Sequence, residues 1–230
     1  MKRIVGILFA GVMLAAPPAP VHARALHPAL ELEGGASRLT LSGSGADESD
    51  VHWRPAFGFG VSVGGDPTAR VSVRTGLLYR YSGSRMTPAD PADLGFDFRS
   101  TDRWSTLHVP VRLAWSPSPQ GHWLVEGSLV GRYLLKATQD IEVNGYPFVR
   151  RPAQSGAIIF ESLGGERDVT EFMRRGDVAV GAGLGWRGEL SGHVTKIMLR
   201  AEQGLYDVEL GPSDSEVREQ TLSLGAGIAW

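Results

Sequence analysis

The chain closes on "TLSLGAGIAW", residues 221–230, a stretch whose pattern runs through most of the sequence. Leu222, Leu224, Ala226, Ile228 and Trp230 alternate strictly with Ser223, Gly225, Gly227 and Ala229. A period of two is the signature of a β-strand with two unlike faces. Chain ends ordinarily fray. An alternation kept to the last residue therefore requires a partner strand for the C-terminus.

The same period runs back through the sequence. It predicts strands near 51–64, 69–82, 105–116, 122–137, 177–189, 195–209 and 219–230. An irregular first strand lies near 28–42, where the alternation slips around Ser37–Arg38 in the manner of a β-bulge. Connections alternate in length. "GGDPT", "SPSPQG" and "LSGHV" are tight turns, whereas "GSGADES", 83–104, 138–176 and "GPSDSEV" are longer. In an antiparallel meander this trims one end of the sheet and elaborates the other.

One face of each of the seven regular strands is free of charge. It runs from Trp53, Pro55, Phe57, Phe59, Val61 and Val63 in the second strand to the five alternating residues of the last. These 39 positions hold no charged residue in a chain that is 21% charged. The opposite faces carry Arg54, Arg74, Arg80, Arg112, Glu126, Arg132, Arg187, Arg200 and Glu202, together with Glu31 and Glu33. Periodicity alone does not say which face is inside. Trp115, Trp123, Trp186 and Trp230 fall at the end with the tight turns. Trp53 and Trp104 fall at the other end, beside Tyr79, Tyr81 and Tyr133. Two aromatic belts around an apolar band are the arrangement of a transmembrane barrel.

The N-terminus agrees. "MKRIVGILFAGVMLAAPPAPVHARA" has Lys2 and Arg3, an apolar run and a small-residue cleavage region, which is the layout of a signal peptide for Sec export. The expected division is a signal peptide over 1–23, with cleavage possible up to 25, and a barrel domain over 24–230. A net charge of −2 without a basic tract gives no signal for nucleic acid, and the chain has no cysteine to form disulfides. The expected fold is all-β, an eight-stranded antiparallel up-and-down transmembrane β-barrel of the outer membrane. Lipid demands that it close, the first strand pairing with the last.

At this point the chain resembles small bacterial outer-membrane β-barrel proteins, in particular the PorT-like outer-membrane β-barrel domain family. "TGLLYRYSG" (75–83), "LHVPVRLAW" (107–115), "DVAVGAGLGW" (177–186) and "LSLGAGIAW" carry the resemblance. Pro110 removes a ladder hydrogen bond from an interior strand, and a proline recurs at this place in that family. The resemblance implies fold and location but no shared activity. It also implies that Trp230, with Ile228 two residues before it, is the signal read by the outer-membrane assembly machinery.

An eight-stranded barrel is just wide enough inside for side chains to fill it. Arg74, Arg80, Arg112, Glu126, Arg132, Arg187, Arg200 and Glu202 are thus expected to form a charge-compensated network. A narrow conduction path is the competing reading. For catalysis, Ser105 and His108 lie three apart and so on opposite faces, and no G-x-S-x-G or H-E-x-x-H occurs. No two histidines share a face at metal-ligand spacing. The expectation is a protein without cofactor or metal that is not an enzyme, acts as a monomer and plays a structural or surface-interaction role. A lipid-modifying membrane enzyme and a soluble ligand-carrying barrel are the alternatives. Binding is expected in the 138–176 loop, where "IEVNGYPFV" (141–149) reads as a hairpin turning at Asn144–Gly145. Arg174 and Arg175 there are candidates for contact with lipopolysaccharide phosphates.

Overall fold

The computed structural model describes residues 26–43, 49–88, 97–118, 122–144, 148–152, 158–162, 165–207 and 215–230. The expected signal peptide lies outside them. The strands are β1 (His27–Gly43), β2 (Ser49–Gly65), β3 (Val71–Pro88), β4 (Asp97–Trp115), β5 (Trp123–Asn144), β6 (Phe148–Pro152), β7 (Ile158–Ser162), β8 (Gly165–Asp168), β9 (Gly176–Leu190), β10 (His193–Gly204) and β11 (Ser215–Ala229). Eight of them close a ring, in the order β1-β2-β3-β4-β5-β9-β10-β11 and back to β1, each antiparallel to its neighbours.

Closure answers the question raised by the C-terminus. β1 and β11 pair without interruption from Ala29↔Ala229 to Gly43↔Ser215, and the Trp230 amide donates to the Pro28 carbonyl at 3.2 Å. The slip expected near Ser37–Arg38 is therefore not a bulge. The backbone register holds and the environment changes instead, as described below. Bulges occur elsewhere: one in β2 between Trp53 and Phe57, and one in β5, where Leu135 is inserted between Leu134 and Lys136.

The short connections lie at the end that holds the termini. Between Leu190 and His193 only Ser191 and Gly192 intervene, both at positive φ, which is the primed geometry that follows the twist of a hairpin. Pro110 is paired with Val130 of β5 but leaves a gap in the ladder to β3, between Thr75↔Val111 and Leu78↔His108. The Thr75 hydroxyl, donating to the Pro110 carbonyl at 2.9 Å, spans part of that gap.

Strands at the opposite end outrun a membrane. β5 has 22 residues, whereas about 9–11 suffice to cross at a tilt. The turn of the hairpin expected at 141–149 falls on residues 145–147, outside the described set; among the described residues, those up to Asn144 continue β5 against β4, while β6 pairs with β7 in a separate two-stranded sheet.

Candidate functional site: a charge-filled lumen, an apolar belt and an inverted outer rim

Within the spanning part of the ring the uncharged face points outward. Leu32 is 66% exposed, Leu224 57% and Trp123 69%, and Phe57, Phe59, Val61, Leu77, Val109, Leu129, Leu199 and Ile228 share that surface. An open belt of this kind around a closed sheet has no stable place in water. Trp115, Trp123, Trp186 and Trp230 rim the short-turn end, and Trp53, Tyr79, Tyr81 and Tyr133 the other. Tyr81 packs on Phe57 and Tyr79 on Phe59, with centroids 5.2 and 5.5 Å apart. Trp104, expected at the outer rim, instead points inward and is buried. β4 extends past it, so its even parity places it inside with Thr106, His108 and Arg112.

The inward face converges on a single ionic layer. Glu33 stands at its centre: its carboxylate accepts from Arg80 and, at 3.0 Å each, from Arg112 and Arg200. Arg112 also grips Glu31. Arg200 Nε donates to Glu126 at 2.7 Å. Glu202 accepts from Arg80 at 2.6 Å and Arg132 at 3.2 Å, and Arg132 donates to Glu219 at 3.0 Å. All these side chains are buried. Five strands supply them (β1, β3, β4, β5 and β10), with Glu219 from β11. Small residues opposite make the room: a Cβ on Gly225 would lie 2.5 Å from Arg200 Nη1, and one on Gly181 3.0 Å from Glu202 Cγ.

Of the residues expected in the network, Arg80, Arg112, Glu126, Arg132, Arg200 and Glu202 join it. Arg74 sits below the layer, donating to Ser62 Oγ at 3.1 Å. Arg187 does not join; it pairs with Asp66 at 3.5 Å toward the short-turn end, because its strand position is already at the rim. Glu219 was missed by the strand pattern, although running the odd parity of Ser223–Ala229 backward reaches it. With Arg74 just below, five arginines face five glutamates, and Arg132 also pairs with Asp177 at 3.6 Å, so each guanidinium of the layer has a carboxylate beside it. Unpaired charges here would be strongly destabilising.

Cavities remain on either side of this layer. One, toward the short turns, is lined by Glu31, Arg74, Arg112, Glu126, Lys196 and Arg200 among others and has about 30 Å³. The other, toward the long loops, lies among Trp104, Arg132, Met173, Arg175 and Glu219 and has about 30 Å³. Each has room for on the order of one or two waters. Ser105 and His108 point to opposite sides: the Ser105 hydroxyl accepts from Tyr79 Oη at 2.9 Å, and His108 Nε2 lies 2.9 Å from Thr106 Oγ1 inside.

Beyond the belt the wall reverses its polarity. Leu39, Trp104, Leu134, Ala137 and Val217 form a buried inner cluster, joined by Leu41, Val51, Val169 and Met173. Outside stand Arg38, which donates to Gln220 at 3.0 Å and stacks over Trp53 at 4.8 Å, and the pairs Arg103–Asp140 and Arg218–Glu216. This is the sense of a water-soluble sheet. It is the physical cause of the apparent slip at Ser37–Arg38. A 3₁₀ turn at Thr170–Phe172 caps the end. Thr170 Oγ1 accepts from the Ala137 amide at 2.9 Å and donates to Asp168 at 2.6 Å, while the Thr170 amide also donates to Asp168. These hydrogen bonds hold the exposed Asp168 carboxyl below the usual aspartate range. Arg174, which follows, lies over the Tyr206 ring at 5.5 Å.

A closed eight-stranded sheet, apolar outside, ionic within and belted by aromatics at both rims, defines a small outer-membrane β-barrel protein. No family model matches the chain, and no curated protein matches it. Among solved structures it is similar to Ail, the attachment invasion locus protein of Yersinia pestis, at 12% identity and a TM-score of 0.39, covering 89% of this chain and 98% of that one. It is likewise similar to Neisserial surface protein A, at 10% identity and a TM-score of 0.39, covering 88% and 97%. The N-terminal β-barrel domain of Pseudomonas aeruginosa OprF aligns at 13% identity and a TM-score of 0.35, covering 88% and 97%.

Proposed function

We propose that this barrel is a monomeric, non-enzymatic surface-interaction protein of the PorT-like kind, whose working surface is its loop-bearing end. The observation that carries the reading is the division of the molecule along its axis. The lumen is filled by the Glu33-centred layer, with cavities of only about 30 Å³ on either side of it. The strands nevertheless continue past the belt, acquire their own apolar core and end in a clamped 3₁₀ turn. Such an extension carries β6, β7 and the residues after them beyond the belt. Arg174 and Arg175 stand at the edge of that extension, where lipopolysaccharide phosphates would accept charge-assisted hydrogen bonds. At the other end Trp230 and Ile228 complete the β11 surface that the assembly machinery would read.

The test compares refolded barrel with a variant carrying Arg174→Gln and Arg175→Gln for binding to lipopolysaccharide aggregates, and with a second variant in which 148–162 are replaced by a short turn. Loss of binding in either variant, with the heat-dependent gel shift of the folded barrel intact, supports the reading. Undiminished binding by both variants refutes a role for this end.

A further inference from the structure

The outer face of β2, β3 and β4, just above the belt, holds a second basic feature on the side of the ring opposite Arg174. A depression of about 370 Å³ is lined by His52, Trp53, Arg54, Pro55, Arg85, Thr87 and Arg99. Among the described residues its lining has three guanidiniums and an imidazole and no carboxylate; Arg54 lies within electrostatic reach of the Asp102 carboxylate, and Asp50 stands opposite Thr87 across the β2–β3 ladder. His52 and Arg85 are direct cross-strand neighbours, and His52 Nε2 lies 3.2 Å from Thr87 Oγ1. Arg99 makes an exposed pair with Glu142 at 3.4 Å. Arg85 is exposed and has no acidic partner among the described residues. Trp53 forms a wall, half exposed, with the Arg38 guanidinium stacked on its ring.

Position gives this pocket its meaning. Immediately below it the same strands carry Pro55, Phe57 and Phe59 beside Tyr81 and Tyr79, the outer rim of the apolar belt. Headgroups of the outer leaflet lie at that height. We propose that the pocket binds the phosphorylated saccharide headgroup of an outer-leaflet glycolipid. Arg85 and Arg99 engage its phosphate through their planar donor forks. The Trp53 ring offers an amphipathic face to the sugar. A volume of this size is in the range of small-molecule sites, roughly 300–1,000 Å³. A membrane source is favoured over a free anion because the floor of the pocket runs directly into the belt. Acyl chains attached to a bound headgroup would lie along Phe57, Phe59 and Val61.

This inference rests on the barrel spanning the outer membrane but is independent of the loop surface proposed above. The experiment titrates the refolded barrel in detergent with three probes. They are the phosphorylated oligosaccharide obtained by deacylating lipopolysaccharide, the same oligosaccharide after phosphatase treatment, and inorganic phosphate. The phosphorylated oligosaccharide should bind best, and Arg85→Gln with Arg99→Gln should weaken it at least about tenfold, as expected for loss of charge-assisted hydrogen bonds. Trp53→Ala should weaken it too, and Arg174→Gln with Arg175→Gln should leave it unchanged. Arg85 and Arg99 are both exposed, so the variants should keep the gel shift of the folded barrel. Equal binding of the dephosphorylated probe overturns the proposal, and so does equal binding of inorganic phosphate, which would mark a free-anion site. If only the Arg174/Arg175 variant loses binding, the contact belongs to the loop end and the pocket is refuted while the loop reading stands.

Discussion

Replacing Glu33 by Gln is the most direct challenge to the ionic layer. Its carboxylate is shared by Arg80, Arg112 and Arg200, and only 2% of the side chain is exposed. The amide of Gln keeps one acceptor, turns a donor toward guanidiniums that are themselves all donors, and removes the charge. The layer then holds five arginines against four glutamates. Removing one partner of a buried ion pair costs about 3–5 kcal/mol. The control is Glu142→Gln, which breaks an exposed pair with Arg99 at 3.4 Å and should cost at most about 1 kcal/mol. Adding Arg112→Gln to Glu33→Gln restores the balance of charge, so the double variant should lose less than the sum of the single ones, with a coupling of about 1–3 kcal/mol. The assay is equilibrium urea unfolding of barrel refolded into lipid vesicles, followed by tryptophan fluorescence and by the heat-dependent gel shift. A Glu33→Gln barrel within about 1 kcal/mol of the parent, or one no weaker than Glu142→Gln, would show that the shared carboxylate does not hold the layer together. It would mean that water reaches the layer and screens it.

Five further outcomes are expected. In planar bilayers the purified barrel should show no reproducible conductance steps, since both cavities beside the layer have only about 30 Å³; regular steps would show an open lumen. Leu199→Arg should cost about 2–4 kcal/mol on the lipid face, and Met198→Gln, its buried inward neighbour, should cost less; equal losses in vesicle unfolding would contradict the observed facing. Thr170→Ala strips the buried Ala137 amide of its acceptor and should cost about 1–3 kcal/mol, while Thr170→Ser is tolerated. Because the Asp168 pKa is depressed in the folded state, its contribution is present above the usual aspartate range and is lost as pH falls through the lowered value; amide exchange at Ala137 should accelerate only in that acid window. Deleting Trp230 should leave unfolded chain in the periplasm and Trp230→Phe should be tolerated; normal folded yield from the deletion would remove the assembly-signal role.

Much of the molecule was legible in the sequence because a β-strand has a fixed period. "TLSLGAGIAW" demanded a partner, the aromatic belts and the export signal turned seven charge-free faces to lipid, and parity then sent Arg80, Arg112, Glu126, Arg132, Arg200 and Glu202 inward. A side chain's facing is a local property, fixed by its neighbours two residues away. Register between strands distant in the chain, and height along the barrel axis, emerge only once the ring has closed. Parity could not choose Glu33 as the shared carboxylate, because that choice is made where β1, β3, β4 and β10 meet. It could not separate Arg187 from the network, since facing inward does not say how near the rim a residue lies. Nor could it show that the wall inverts above the membrane. Leu39 and Trp104 obey the same alternation as Glu33 and Arg112, but the solvent outside them has changed from lipid to water. Their apolar side chains consequently belong inside, where charges belong one turn of the barrel below.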